Sequence, residues 1–353
     1  MIEEKNTPSP AMTSPSRLEY IDSLRGLSAL LVVFSHAFVF LTLNDYFINI
    51  GKVGVFIFFM ISGFVIPYSF KKTKGSYKIF LTTRFFRLYP AYWLSIIFAL
   101  IVYATVDPSI PGKFEILSNV TMFQMGMGQK NIIGVYWTLF IELIFYIICV
   151  GLAMFNSLWN EKRMIMMFYI VILFSILTSL ARFFLHKKLP VAIPLGLSMM
   201  FFGYAWRECI INKSAFALSK IKGMAITCIL TTFVCGYLSY SWDHQAGEPW
   251  QNFSYAYTIS LFIFIFMTTY IKVYNKYICY IGIASYSLYL IHDPMIHLLS
   301  SILPVTFNIQ MTLIKLISIA SSLLFSAIVY NVIEKPGISI GRRIISNIKK
   351  SQP

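Results

Sequence analysis

Arg25 and His36 stand eleven residues apart on the first apolar run of the chain. Eleven steps of ~100° end about 20° past three full turns of an α-helix, so both side chains leave one face, about 16 Å apart along the axis. The arginine falls at a membrane edge and the histidine deeper, where an ionisable group is costly and marks a functional site by default. Guanidinium groups hold anions, and an imidazole takes and returns protons near neutral pH.

Glu142 is the one acidic residue in its apolar run and falls at the depth expected for His36. A carboxylate there needs a partner or a proton. Beside an imidazole it orients the ring and favours its charged form, which is the arrangement of a general base. The spacing therefore predicts a His36–Glu142 pair, with a structural polar contact between helices as the plainer alternative. Arg84 and Arg87, in RFFRLYP, share a helix face at the same edge as Arg25. Three arginines there suit a phosphate-bearing ligand; equally, they suit snorkelling toward lipid headgroups. In SYSLYLIHDP, His292 and Asp293 precede Pro294. That pattern fits a helix break lining a polar cavity, or simply a histidine at the wet interface. Gly63 in FFMISGF reads as close helix packing.

The elements that must position these residues are all helical and cross a bilayer. Only 12% of the 353 residues are charged and 58% are hydrophobic, against about a quarter charged in soluble domains, so the chain is a polytopic membrane protein. Ten apolar runs of about bilayer-crossing length are found, at about 27–43, 52–70, 86–106, 134–155, 164–185, 191–206, 223–241, 253–271, 277–298 and 311–333. Alternate connections, counted from the N-terminus, hold 22 of the 29 basic residues and the opposite side 7, which places both termini in the cytoplasm. The formal net charge of +15 is then a matter of topology and anionic lipid, and nucleic acid is not expected as a partner. The five cysteines lack metal-ligand spacing and lie in or beside apolar runs; neither a metal site nor a disulfide framework is expected. Residues 1–17 read as a disordered cytoplasmic tail, 18–336 as one transmembrane domain and 337–353 as a basic tail.

The motifs, taken in order, resemble the acyltransferase-3 family of membrane acyltransferases. They are YIDSLRGLSALLVVFSHA with Arg25 and His36, FIFFMISGFVI, RFFRLYPAYW, YWTLFIELIFY with Glu142, SYSLYLIHDP, and the closing stretch from Tyr330 to Glu334, Lys335 and Pro336. The resemblance covers about residues 18–336. It implies transfer of an acyl group, usually acetyl from acetyl-CoA as co-substrate, to a hydroxyl of a carbohydrate or lipid-linked glycan, and residence in a bacterial cytoplasmic membrane. Arg25, Arg84 and Arg87 would then hold the donor's phosphates, and His36 with Glu142 would deprotonate the acceptor. Thr138, Glu142 and Tyr146 recur at helical spacing as one wall of a site. Tyr289 and His292 are further candidates for substrate contact. Trp137 suits stacking on a sugar ring, or an ordinary aromatic belt.

A second class stays open at this level. Intramembrane His, Glu and Arg also build the proton relays and substrate paths of transporters. Against it, no internal repeat is evident in the sequence, although transporter folds commonly carry one. The acceptor, the acyl chain and the oligomeric state leave no mark on the sequence.

Overall fold

The computed structural model describes residues 18–38, 48–73, 75–106, 110–242, 249–303 and 308–350. The expected tail 1–17 lies outside these, as do Pro108, His244 and residues 351–353. Among the described residues every regular element is helical. Each expected apolar run overlaps a helix, residues 39–43 of the first lying outside the described ones: α1 (Glu19–Ala37), α2 (Ile50–Val65), α3 (Ser76–Val106), α5 (Tyr136–Met154), α6 (Glu161–Leu185), α7 (Ala192–Ile210), α8 (Ala215–Tyr240), α9 (Trp250–Thr269), the pair α10 (Lys276–Ile283) and α11 (Ser285–Ile302), and α12 (Asn308–Val329). A short α4 (Lys113–Val120) lies in the long connection before α5. Among the described residues, seven helices are long and apolar enough to cross a membrane. They include α2, α3 and α5 but not α1, whose first turns carry Glu19, Asp22 and Arg25. Together they make the protein a multi-pass membrane protein.

The helix α2 is the hub. Its span is 72% buried, whereas the α3, α6 and α8 spans are each 39% buried and turn apolar side chains such as Leu173 and Leu230 outward, as lipid-facing helices do. Close approach to α7 depends on glycine. A Cβ on Gly63 would lie 1.7 Å from the Met200 carbonyl oxygen, and one on Gly203 would lie 2.0 Å from that of Met60. Small residues let backbones meet in this way where lipid supplies no hydrophobic drive. The same device seats α1 on α10, since a Cβ on Gly282 would fall 1.7 Å from the Asp22 carbonyl oxygen.

Three features depart from the expected elements. The ninth run is broken at Ala284, between α10 and α11, and not at Asp293–Pro294. Pro294 is carried inside α11, where it withholds one backbone donor without ending the helix. The helix α1 ends at Ala37, so His36 lies in its last turn. At the other terminus, α12 runs through a π-helical turn, Tyr330–Glu334, into α13 (Lys335–Lys350). Residues Gln310–Asn347 form 38 residues of near-continuous helix, about 57 Å long at 1.5 Å per residue. That exceeds a hydrocarbon core of ~30 Å, so α13 projects beyond it. Gly337 and Gly341 hold α13 against Phe86 of α3.

Candidate active site

Four of the five residues singled out for chemistry surround one cavity of about 790 Å³, partly continuous with solvent. Arg25 reaches it from α1, Arg84 and Arg87 from α3, and Glu142 from α5. Thr138 and Tyr146, each about one turn from Glu142 along α5, line the same wall, and Tyr289 closes it from α11. Three guanidinium groups this close repel one another, and carboxylates lie among them. Arg25 Nη1 is 3.5 Å from Asp22 Oδ1. Glu142 interacts electrostatically with Arg25 and Arg84, while its Oε1 accepts from Tyr146 OH at 2.7 Å and from Ser62 Oγ at 3.2 Å. Arg84 stacks over Phe80 and Tyr146, at 5.2 and 5.4 Å from the ring centres. Its Nε is buried without a partner.

Glu334 was visible in the sequence only as part of the closing motif. It is 1% exposed, accepts from Ser287 Oγ at 2.7 Å and interacts with Arg87 and Arg25. The π-turn immediately before α13 sets its direction, and such turns recur at functional sites. No spacing rule on an α-helix would have aimed it there.

His36 is held elsewhere. Its Nδ1 meets Asp293 Oδ1 of α11 at 3.1 Å, and its ring stands edge-on to His292 with centroids 4.9 Å apart. The expected partner, Glu142, is corrected to Asp293. The helix α1 packs against α2, α10 and α11, whereas α5 packs chiefly on α2, α3 and α7. Equal depth therefore did not pair His36 with Glu142: α11 packs directly on α1 and brings Asp293 to His36, while Glu142 faces the cavity shared with Arg25. A carboxylate on Nδ1 leaves Nε2 as the nitrogen that can take a proton. Half-exposed His36 can meet a substrate, whereas His292 is fully buried. His292 Nδ1 pairs with the Leu288 carbonyl oxygen at 3.1 Å, and its Nε2 has no partner.

The two groups are joined through Tyr289. Its hydroxyl lies 2.8 Å from Thr138 Oγ1 in the cavity wall, and its ring centre lies 5.8 Å from that of His292. His36 thus lies outside the cavity lining, reached from Tyr289 through the His292 ring. Trp137 separates from this group and lines a second cavity with Lys52 and Phe56 of α2.

Three arginine side chains thus line a cavity near a carboxylate-held histidine inside a membrane helix bundle. The chain belongs to the acyltransferase-3 family, whose acyltransferase domain matches residues 18–331. Among curated proteins it is similar to Nodulation protein 10 of Rhizobium leguminosarum bv. viciae, 28% identical over 40% of this chain and 45% of that one. It is also similar to Acyltransferase MdmB of Streptomyces mycarofaciens, 27% identical over 28% of this chain and 27% of that one. The match therefore spans less than half the length of either relative. No solved structure matches.

Proposed function

We propose that the protein is an integral membrane O-acyltransferase that moves an acyl group, acetyl in the simplest case, from cytosolic acyl-CoA to a hydroxyl of a carbohydrate or lipid-linked glycan. In this reading ten crossings place both termini in the cytoplasm of a bacterial cell and the arginine-lined cavity opens to the cytosol. Arg25, Arg84 and Arg87 hold the donor's phosphates through charge-assisted hydrogen bonds. The thin arm of the donor runs along the cavity toward Tyr289 and Thr138, bringing its thioester to the end where His36 lies. His36 Nε2 takes the proton of the acceptor hydroxyl as the oxygen attacks the thioester carbon. The C–S bond breaks as the new ester forms, and the proton passes from His36 to the departing thiolate. Asp293 keeps the imidazole in the productive tautomer and balances its transient charge.

The observation that carries this reading is the division of labour along one face of α1, with Arg25 in the cavity and His36 about 16 Å further on, against a carboxylate. The acyltransferase named among its relatives supports the reaction type. Purified protein in nanodiscs, given radiolabelled acetyl-CoA and an envelope extract, should release coenzyme A and label an acceptor. His36→Ala should lower that rate about a thousandfold while the protein stays folded in the membrane. A variant retaining a tenth or more of the activity would remove His36 from the chemistry. A wild-type protein that neither binds nor cleaves the donor would favour a transporter.

A further inference from the structure

The connection between α3 and α5 turns its side chains the wrong way for water. On α4, Phe114 is 63% exposed and Leu117 65%, whereas Ser118 and Asn119 are 2% and 0% exposed. Ile110, Val120, Phe123 and Met127 extend the exposed apolar face along the segment, and Gln124 extends the buried polar one. A helix that meets water does the opposite, burying its apolar stripe and presenting its polar residues. Six large apolar side chains on one short segment also exceed the scattered single ones that an aqueous surface carries. The pattern suits hydrocarbon outside and a polar interior that closes on itself.

The interior does close. Asn119 Nδ2 donates to the carbonyl oxygens of Glu115 and Lys130, each at 2.8 Å, and its Oδ1 accepts from the Ile132 amide at 3.1 Å. One carboxamide so ties the outgoing limb to the returning one. Across the turn between them, Gln124 Nε2 donates to Asn131 Oδ1 at 2.7 Å. The carbonyls at the end of α4, which water can cap in a soluble helix, are met by side chains of α3. Those of Asn119, Val120 and Thr121 accept from Tyr92 OH, Trp93 Nε1 and Tyr89 OH at 2.8, 3.0 and 3.0 Å. Irregular backbone at membrane depth needs such internal partners.

The same three donors fix the depth. The helix α3 runs for 31 residues, about 46 Å, and a core of ~30 Å placed anywhere along it includes its central part. Tyr89 stands 13 residues after Ser76 and Trp93 stands 13 residues before Val106, each about 20 Å from the nearer end. The end of α4 is therefore inside the core. The first turn of α5 is there too, since the Tyr136 ring centre lies 4.7 Å from that of Tyr92 and its hydroxyl 2.6 Å from Ser95 Oγ. Phe85, Tyr89, Trp93, Ile97 and Ile101 recur every four residues as one face of α3. Phe85, Ile97 and Ile101 of that stripe are exposed, and the two between them hold α4. The apolar face of α4 is thus continuous with the lipid-facing surface of α3.

We infer that residues 110–135 form a re-entrant hairpin, which dips into the bilayer and returns toward the face at which α3 ends, and that its outer side is covered by lipid acyl chains. The inference does not depend on which reaction the protein performs. It means that α5, which carries Thr138, Glu142 and Tyr146, starts from a support held in lipid and not from an aqueous loop. The chain leaves by α3 and comes back by α5 as before, so the topology is unchanged.

The test is the fluorescence of Phe114→Trp and Leu117→Trp in phosphatidylcholine nanodiscs, with the emission of the six native tryptophans subtracted through the wild type. Ile101→Trp serves as the lipid-facing reference. Bromine midway along the acyl chains should quench the added emission as strongly as it quenches the reference, and acrylamide in the water should leave it nearly untouched. Both variants read one face, so either suffices if the other fails to assemble. Quenching by acrylamide and not by bromine would put the segment in water and overturn the inference. Quenching only by bromine next to the headgroups would make α4 a helix lying on the membrane, and would overturn it as well. Protection from every quencher would mean that protein covers the face, a second copy of this chain or another subunit, and would also overturn it.

Discussion

Around the first cavity, three guanidinium groups from two helices face Asp22, Glu142 and Glu334, which come from three elements. Beyond Tyr289 and His292, one imidazole faces one carboxylate on the adjoining helix, at 3.1 Å. The first arrangement is a distributed network in which no single pairing carries the whole field, and the second is a single contact. A distributed set of charges suits a ligand that must bind and leave, because each member contributes modestly and the rest remain when one is lost. A lone oriented pair suits a proton transfer, where position and tautomer matter more than total charge. Substitutions at the two places should therefore fail in different kinetic terms.

After His36→Ala, the largest of these effects, comes Asp293→Asn. It preserves shape and removes charge, and should lower kcat about a hundredfold with little change in the donor KM. A comparable loss in KM would mean that Asp293 belongs to binding. Arg25→Ala should do the reverse, raising the acyl-CoA KM roughly tenfold or more and raising it least at high salt, where screening already weakens the wild type. A steady-state fit showing a slow chemical step at normal donor saturation would take Arg25 out of the phosphate role.

Gly282→Ala tests whether α1 unites the two regions. Its Cβ would press on the Asp22 backbone, displace the helix that carries both Arg25 and His36, and cost about 1–3 kcal/mol in stability. Kcat and KM should worsen together by several-fold, with a lower melting temperature; a change in only one constant would show that the regions are positioned independently. The smallest effect is expected for Glu142→Gln, a change of a few-fold confined to the KM, since its carboxylate meets Tyr146, Ser62 and the arginines and not His36. A loss in kcat as large as that of Asp293→Asn would restore Glu142 to the chemistry.

Much of the site was visible before folding is considered. Arg25, Arg84, Arg87, Glu142, Thr138 and Tyr146 do share a cavity, because helical periodicity and the preference of cations for one rim constrain face and depth. Face and depth are two coordinates of three. The third, which helix lies next to which, depends on packing. It moved the partner of His36 from Glu142 to Asp293, although Asp293 was in plain view beside His292. It also sent Trp137 and Thr138, adjacent in sequence, into different cavities, since successive residues on a helix point about 100° apart and α5 borders both.

From the sequence alone came the membrane class, the helical runs, the family resemblance and the identity of the titratable groups, all of which follow from composition and from repeats within single helices. The tertiary structure alone decided the broken α10–α11 segment, the burial of Glu334 by a π-turn, the second cavity and the pairing of His36. Each of these depends on how the helices pack, with backbones in close approach at Gly63 and Gly203 and at Gly26 and Gly282. That distance is set by side-chain complementarity between helices far apart in sequence, which no local pattern encodes.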